Sequence, residues 1–193
     1  MTKREIQKKK TREFIIKTAK REFIKKGFLK TTTADIALRA GLAHGTLFLH
    51  FKTKDELIVE IVEDLLINIT NDLHDLLKSA KDVEELLNNY LECLSKEEQF
   101  FTILSKELPF YSPKLKRQII FRESGIRKYF YEAIEKGIKN GNYKNIEISD
   151  SLNFLFGHIN YLLSNKELFV KSGSVIAQRR SSIIDTFLSF IEK

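Results

Sequence analysis

From residue 11 onward the apolar positions of this chain recur with the period of a helix. Ile15, Ala19 and Phe23 step by four, Ile16 and Ile24 lie beside them, and Gly27 follows Lys25 and Lys26. This pattern predicts a helix over 11–26, ended by a glycine in left-handed backbone with two cations at the negative end of the helix dipole. Residues 1–12 are mostly Lys, Arg, Thr and Gln and predict a flexible basic arm leading into it. Thr32-x-x-Asp35 has the form of a capping box and opens a short helix with Ile36, Ala37 and Ala40 inward and Gly41 at its end. After the turn 41–43 a second short helix covers 44–50. Thr53-x-x-Glu56 is another box. It starts a long helix on which Leu57, Ile61, Leu65, Ile69 and Leu73 step by four, with Ile58, Val62 and Leu66 widening the face.

The same reading predicts helices over 82–95 and 96–107, an irregular stretch between Pro109 and Pro113, and a long helix over 113–139. A turn at 140–142 leads to a very apolar helix capped by Ser149 and reaching 165. After 172–174 a last helix carries Ile176, Ile183, Phe187 and Ile191 on one face. No strand pattern, repeat or low-complexity linker stands out. The expected fold class is all-α with about nine helices: an N-terminal three-helix domain over 1–54 and a larger helical domain over 55–193.

Composition agrees with that picture and narrows it. Of 193 residues, 42% are apolar, only 2 are Pro and 8 are Gly, which favours long helices over strands. The single cysteine, Cys93, excludes an internal disulfide framework and is expected to be a buried thiol. No N-terminal apolar segment reads as a signal peptide and no run is long enough to span a bilayer, so a cytoplasmic protein without a membrane partner is expected. The charge is uneven. Residues 1–54 hold 15 basic and 4 acidic residues, a net +11, whereas 55–193 hold 18 and 22, a net −4. A basic head on a slightly acidic body suits a polyanion-binding module joined to something else.

The segment 31–54 gives that head a chemistry. Two short helices that cross closely need a small residue at the contact, which Ala37 supplies. The turn needs positive φ, which Gly41 supplies, and Leu42 and Leu47 can fill the angle between the helices. This is the plan of a helix-turn-helix, over about 32–51, whose second helix enters the major groove.

Thr31-Thr32, Ile36-Ala37, Ala40-Gly41, Gly45-Thr46-Leu47-Phe48, His50-Phe51 and Lys54 with Leu57 follow one another in the order found in TetR-family (tetracycline-repressor-like) regulators, and the helix ending in Gly27-Phe28 matches too. The chain closely resembles that family over about 11–60. Ala43 stands where the family often has Ser, removing a side-chain cap from the reading helix, and Phe48 stands where Tyr is usual, removing a hydroxyl.

The resemblance implies double-stranded operator DNA as a partner, with Thr32, the Gly45 N–H, Thr46, His50 and Lys54 toward phosphates, His44 and Leu49 toward base edges, and the Phe48 ring kept without the Tyr hydroxyl's phosphate bond. It also implies a homodimer, and the surplus apolar surface of the last two long helices puts Leu155, Ile159, Leu162, Ile183 and Phe187 at its interface. It implies, third, a small-molecule effector in the larger domain. The residues picked out there are Tyr90, Phe101, Phe110, Tyr111, Arg122, His158 and Tyr161, suited to a hydrophobic or amphipathic ligand.

Enzyme chemistry finds little footing. There is no Gly-rich phosphate loop and no nucleophile elbow, and His44, His50, His74 and His158 are scattered without metal-ligand spacing. No metal and no cofactor are expected. The expected function is a ligand-responsive repressor; the alternatives are a DNA-binding protein without an effector and a helical protein–protein adaptor.

Overall fold

The computed structural model describes residues 2–77 and 82–193, without the side chains of 72–77; Leu73 and His74 therefore lie outside the described side chains. Among the described residues there are ten α-helices and no strand. They are α1 Lys3–Lys26, α2 Thr33–Arg39, α3 His44–Phe48, α4 Lys54–Leu77, α5 Val83–Lys96, α6 Glu98–Glu107, α7 Pro113–Lys139, α8 Ile148–Ser164, α9 Lys166–Phe169 and α10 Val175–Ile191, with a 3-10 turn at Leu108–Phe110 before α7. The helix beyond the expected nine is the four-residue α9.

The basic arm is not a flexible lead but the first three turns of α1. Thr2 accepts from the Glu5 N–H, the Glu5 carboxylate accepts from the Thr2 N–H at 2.7 Å, and the Lys, Arg, Gln and Glu of residues 3–10 are strong helix formers. At the other end Gly27 stops the helix at φ 84°, and its N–H reaches the Phe23 carbonyl. The expected stripe of Ile15, Ala19 and Phe23 is fully buried.

Three features hold the body. The Glu98 carboxylate, 3% exposed, accepts from the N–H groups of Val175 and Ile176 at 3.0 Å and from the Ser174 hydroxyl, and pairs with Lys166 at 2.8 Å. One buried anion thus caps α10 from α6. Gly137 of α7 lies against the Tyr143 ring so closely that a Cβ would fall 2.1 Å from it. The Tyr143 hydroxyl in turn accepts the Val83 N–H at 3.3 Å, pinning the α7–α8 connection onto α5. Tyr90, Phe130 and Phe156 form an aromatic core at centroid distances of 5.6–5.8 Å. Cys93 is buried.

The helix α8 packs on α6, α7 and α10 at once. That is where its apolar width goes, and it corrects the expected interface. Leu155, Ile159, Leu162, Ile183 and Phe187 are all buried inside a single copy of the chain and face neighbouring helices rather than a partner. What α8 and α10 turn outward is a different set. Phe154 and Phe190 are both half-exposed and stack at 5.4 Å, with His158 stacked on Phe154 at 6.3 Å.

No helix among the described residues is long and apolar enough to cross a membrane. A single connected apolar core runs from Ile15 in α1 to Ile191 in α10, and α4 runs without a break from the head, where it packs on α1, into the body, where it packs on α5 and α7.

Candidate functional site

The head is built around Leu47. Thr32 caps α2, giving its hydroxyl to Asp35 and accepting the Asp35 N–H, and hydrogen bonds from the Thr32 N–H and hydroxyl hold the Asp35 carboxyl below its usual range. Gly41 takes φ 64° in the turn, Leu42 donates its N–H to the Ala37 carbonyl, and Leu47 is buried completely beneath α3. With its apolar side fixed that way, α3 presents His44, Gly45, Phe48 and Leu49 to solvent, Leu49 being 77% exposed. As the expected departure requires, Ala43 gives α3 no side-chain cap. The first-turn N–H groups of His44 and Gly45 therefore have no intrahelical partner.

Each expected contact residue has a distinct setting. The His44 ring sits edge-on to Phe48 at 4.7 Å, with Nε2 3.0 Å from the Thr33 hydroxyl. Thr46 is half-buried at the helix shoulder. Burial, with Lys8 and Arg12 nearby, pushes His50 below the usual imidazole range. Lys54 is engaged within the head: its ammonium donates to the Phe28 carbonyl at 2.8 Å and the Thr31 carbonyl at 3.2 Å, tying the start of α4 to the α1–α2 connection. Two of its three N–H groups are used, leaving one for a phosphate.

Arg12 is the residue that the pattern of the basic arm concealed. It donates to the His50 carbonyl at 2.8 Å, pairs with Glu60 of α4 through Nη2 at 2.8 Å and through Nε at 3.2 Å, and lies over the Phe51 ring at 4.2 Å. It fixes the end of the reading helix to α1 and α4 together. Nothing in a run of basic residues distinguishes the one that points inward; only its place one turn before Ile15 and Ile16 hints at it.

The body holds an open cavity of about 590 Å³ between α4, α6, α7 and α8. Val62, Leu66, Phe101, Leu104, Ile119 and Ile120 supply its apolar walls, with Tyr161, Lys116, Glu123, Ser105 and Asn160 among them. Of the seven expected pocket residues, Phe101 and Tyr161 line this cavity. The other five do not, and each has a reason. Tyr90 is in the aromatic core, where burial pushes its hydroxyl pKa up. Phe110 is 76% exposed on the 3-10 turn. Tyr111 turns its hydroxyl into a buried, unpartnered position, and burial beside Glu107 and Asp55 pushes its pKa up to about 12. Arg122 pairs with Glu63 at 3.2 Å, and His158 stacks on the outer face.

Residues 15–61 match the family model of bacterial regulatory proteins of the tetR family. A probable helix-turn-helix transcriptional regulator of Pseudomonas putida, ArpR, is 39% identical over 95 residues, 49% of this chain and 41% of that protein. The regulator TtgR of the same species is 38% identical over the same shares of the two chains. The chain thus spans about two-fifths of the length of these relatives. Residues 15–61 carry a head of the tetR-family kind. The chain's fold extends the likeness beyond the head: the regulator FadR of Bacillus subtilis, solved in complex with stearoyl-CoA, superposes with a TM-score of 0.80 at 18% identity over 92% of this chain and 97% of that one.

In this head one substitution separates the structural tie that Lys54 makes from the phosphate contact expected of it. Lys54→Ala is expected to lower affinity for all duplex sequences alike, to make the salt slope shallower by about 0.9, and to lower the melting temperature because two carbonyls lose their donor. Salt-titrated binding and thermal melts check this. Unchanged affinity and slope with a lowered melting temperature would leave Lys54 as a structural tie alone.

Proposed function

We propose that the chain is a sequence-specific DNA-binding transcriptional regulator, acting as a homodimer, whose hold on operator DNA is released by a small apolar or amphipathic effector. The observation that carries this reading is α3, a short uncapped helix that turns His44, Gly45, Phe48 and Leu49 outward from a rigid basic head of tetR-family sequence. In the proposed division of labour the head, 1–54, reads DNA, and the remainder, 55–193, dimerises and binds the effector.

Thr32, Gly45, Thr46, His50 and Lys54 serve phosphates, and His44 and Leu49 face bases, Leu49 offering only apolar contact, such as to a thymine methyl. The half-exposed, stacked Phe154 and Phe190 with His158 form the centre of the face between two copies. A cavity of about 590 Å³ with mostly apolar walls suits the effector, and FadR of Bacillus subtilis, of the same fold, was solved with stearoyl-CoA. A ligand acts here by favouring one arrangement of the two heads over another.

Selection of bound duplexes from a random pool is the test. The expected product is a near-palindrome with half-sites about 34–36 Å apart, or a multiple of that. A flat pool would overturn both the operator and the dimer, and would favour a helical adaptor instead.

A further inference from the structure

Lys116 and Glu123 are the charged residues among those lining the α4–α6–α7–α8 cavity. They differ in how their charge is met. Glu123 pairs with Arg127 one turn along α7 at 3.7 Å, and burial raises its pKa while Arg127 lowers it. Lys116 is half-buried and its ammonium has the Pro109 carbonyl at 2.6 Å, with no carboxylate at ion-pair distance among the described residues. The Lys116–Pro109 bond is exposed, so the ammonium stands on the solvent side of an otherwise apolar wall, and an anion entering the cavity would gain a charge-assisted contact with it. The seven-residue step from Lys116 to Glu123 sets the two charges about 10 Å apart along α7, with Ile119 and Ile120 between, so one small head group reaches only one of them. Phe101, Leu104 and Ile119 give the rest of such a ligand an apolar bed, while Ile120 and Tyr161, both more than half exposed, leave the mouth open to a chain longer than the cavity.

We propose that the cavity takes a single-chain amphiphile with an anionic head, its acid group on the Lys116 ammonium and its alkyl chain against Phe101, Leu104 and Ile119. This rests on the reading of the cavity as an effector site and names the chemistry of the effector. Carboxylate and phosphate heads share that chemistry, and the probes below separate them.

The test uses the full chain with dodecanoate, dodecyl phosphate, dodecanol and dodecylamine, each below its micelle-forming concentration, read by calorimetry and thermal shift. Dodecanoate or dodecyl phosphate is expected to bind about tenfold or more tighter than dodecanol or dodecylamine, the strength of one charge-assisted contact. Lys116→Gln is expected to remove that advantage while leaving dodecanol unchanged, and Lys116→Glu to turn the preference toward dodecylamine. Dodecylamine or dodecanol binding the wild type as tightly as either anion overturns the head-group assignment but keeps the effector site. So does an equal loss of dodecanol and dodecanoate affinity in Lys116→Gln. Failure of all four probes to bind overturns the amphiphile reading of the cavity itself. If either variant fails to fold, the four-probe series on the wild type decides alone.

Discussion

Glu98→Ala is expected to lower the stability of the fold by about 3–5 kcal/mol, the cost of breaking a buried pair and leaving its partners stranded, which for a chain of this size is a fall in melting temperature of roughly 10 °C. The substitution removes four interactions at once. The Lys166 ammonium loses its anion, and the Ser174 hydroxyl and the Val175 and Ile176 N–H groups lose their acceptor at the start of α10. Burial alone would raise the Glu98 pKa, but Lys166, Ser174 and the Ile176 and Val175 N–H groups together outweigh it and hold the carboxyl below its ordinary 4.5. A carboxyl depressed in the folded state stabilises above its unfolded pKa, and that contribution disappears as pH falls from about 4.5 through the lower folded value. Wild-type melts followed by circular dichroism should therefore lose stability across that acid window. Glu98→Gln should be less stable than the wild type near neutrality and lack that part of the acid loss. A Glu98→Ala protein as stable as the wild type would remove the capping role.

Gly45→Glu is expected to abolish operator binding, a loss of at least about 100-fold or roughly 3 kcal/mol, without unfolding the head. A Cβ at Gly45 meets nothing within 4 Å, and the position is an ordinary helical one, where Glu is the better helix former by about 0.5–1 kcal/mol. The new carboxylate, however, stands on the exposed face of α3, where a phosphate would approach the uncapped first turn. Gly45→Ala separates shape from charge and should cost far less. Operator titrations alongside thermal melts check both. A folded Gly45→Glu protein that still binds its operator would move the DNA interface away from α3.

The local signals in the sequence carried far. Thr32 with Asp35 marks the start of α2, Gly41 its turn, and Ser112-Pro113 and Asn140 the ends of α7, because caps and turns are written in adjacent residues. Thr53 and Glu56 open α4 in a modified way: Thr53 accepts the Glu56 N–H, but the Glu56 carboxylate accepts from Lys52 rather than from the cap residue. What escaped was tertiary. The Lys-rich run 3–10 carries no apolar stripe, so its helicity rests on a capping box that periodicity ignores. The surplus apolar face of α8 is equally compatible with a partner chain and with a third neighbouring helix, and here the neighbours are α6, α7 and α10. Aromatic content did not separate Tyr90, sealed in the core, from Phe101 and Tyr161, which line the cavity. The charged residue that matters there, Lys116, is one of many lysines in the sequence.

The unbroken course of α4 has a mechanical consequence. Its first turns are tied to the α1–α2 connection through Lys54 and to the end of the reading helix through Arg12, which joins Glu60 to the His50 carbonyl, and Val62 and Leu66 farther along form part of the cavity wall. Its 24 residues make a rod about 36 Å long. A tilt of only about 5° about one end sweeps the other through on the order of 3 Å, comparable to the spacing of adjacent base pairs. No break in the helix lies between the two ends to absorb such a motion, so under the proposed function α4 would act as a stiff lever, carrying a small displacement at the filled cavity to the reading head.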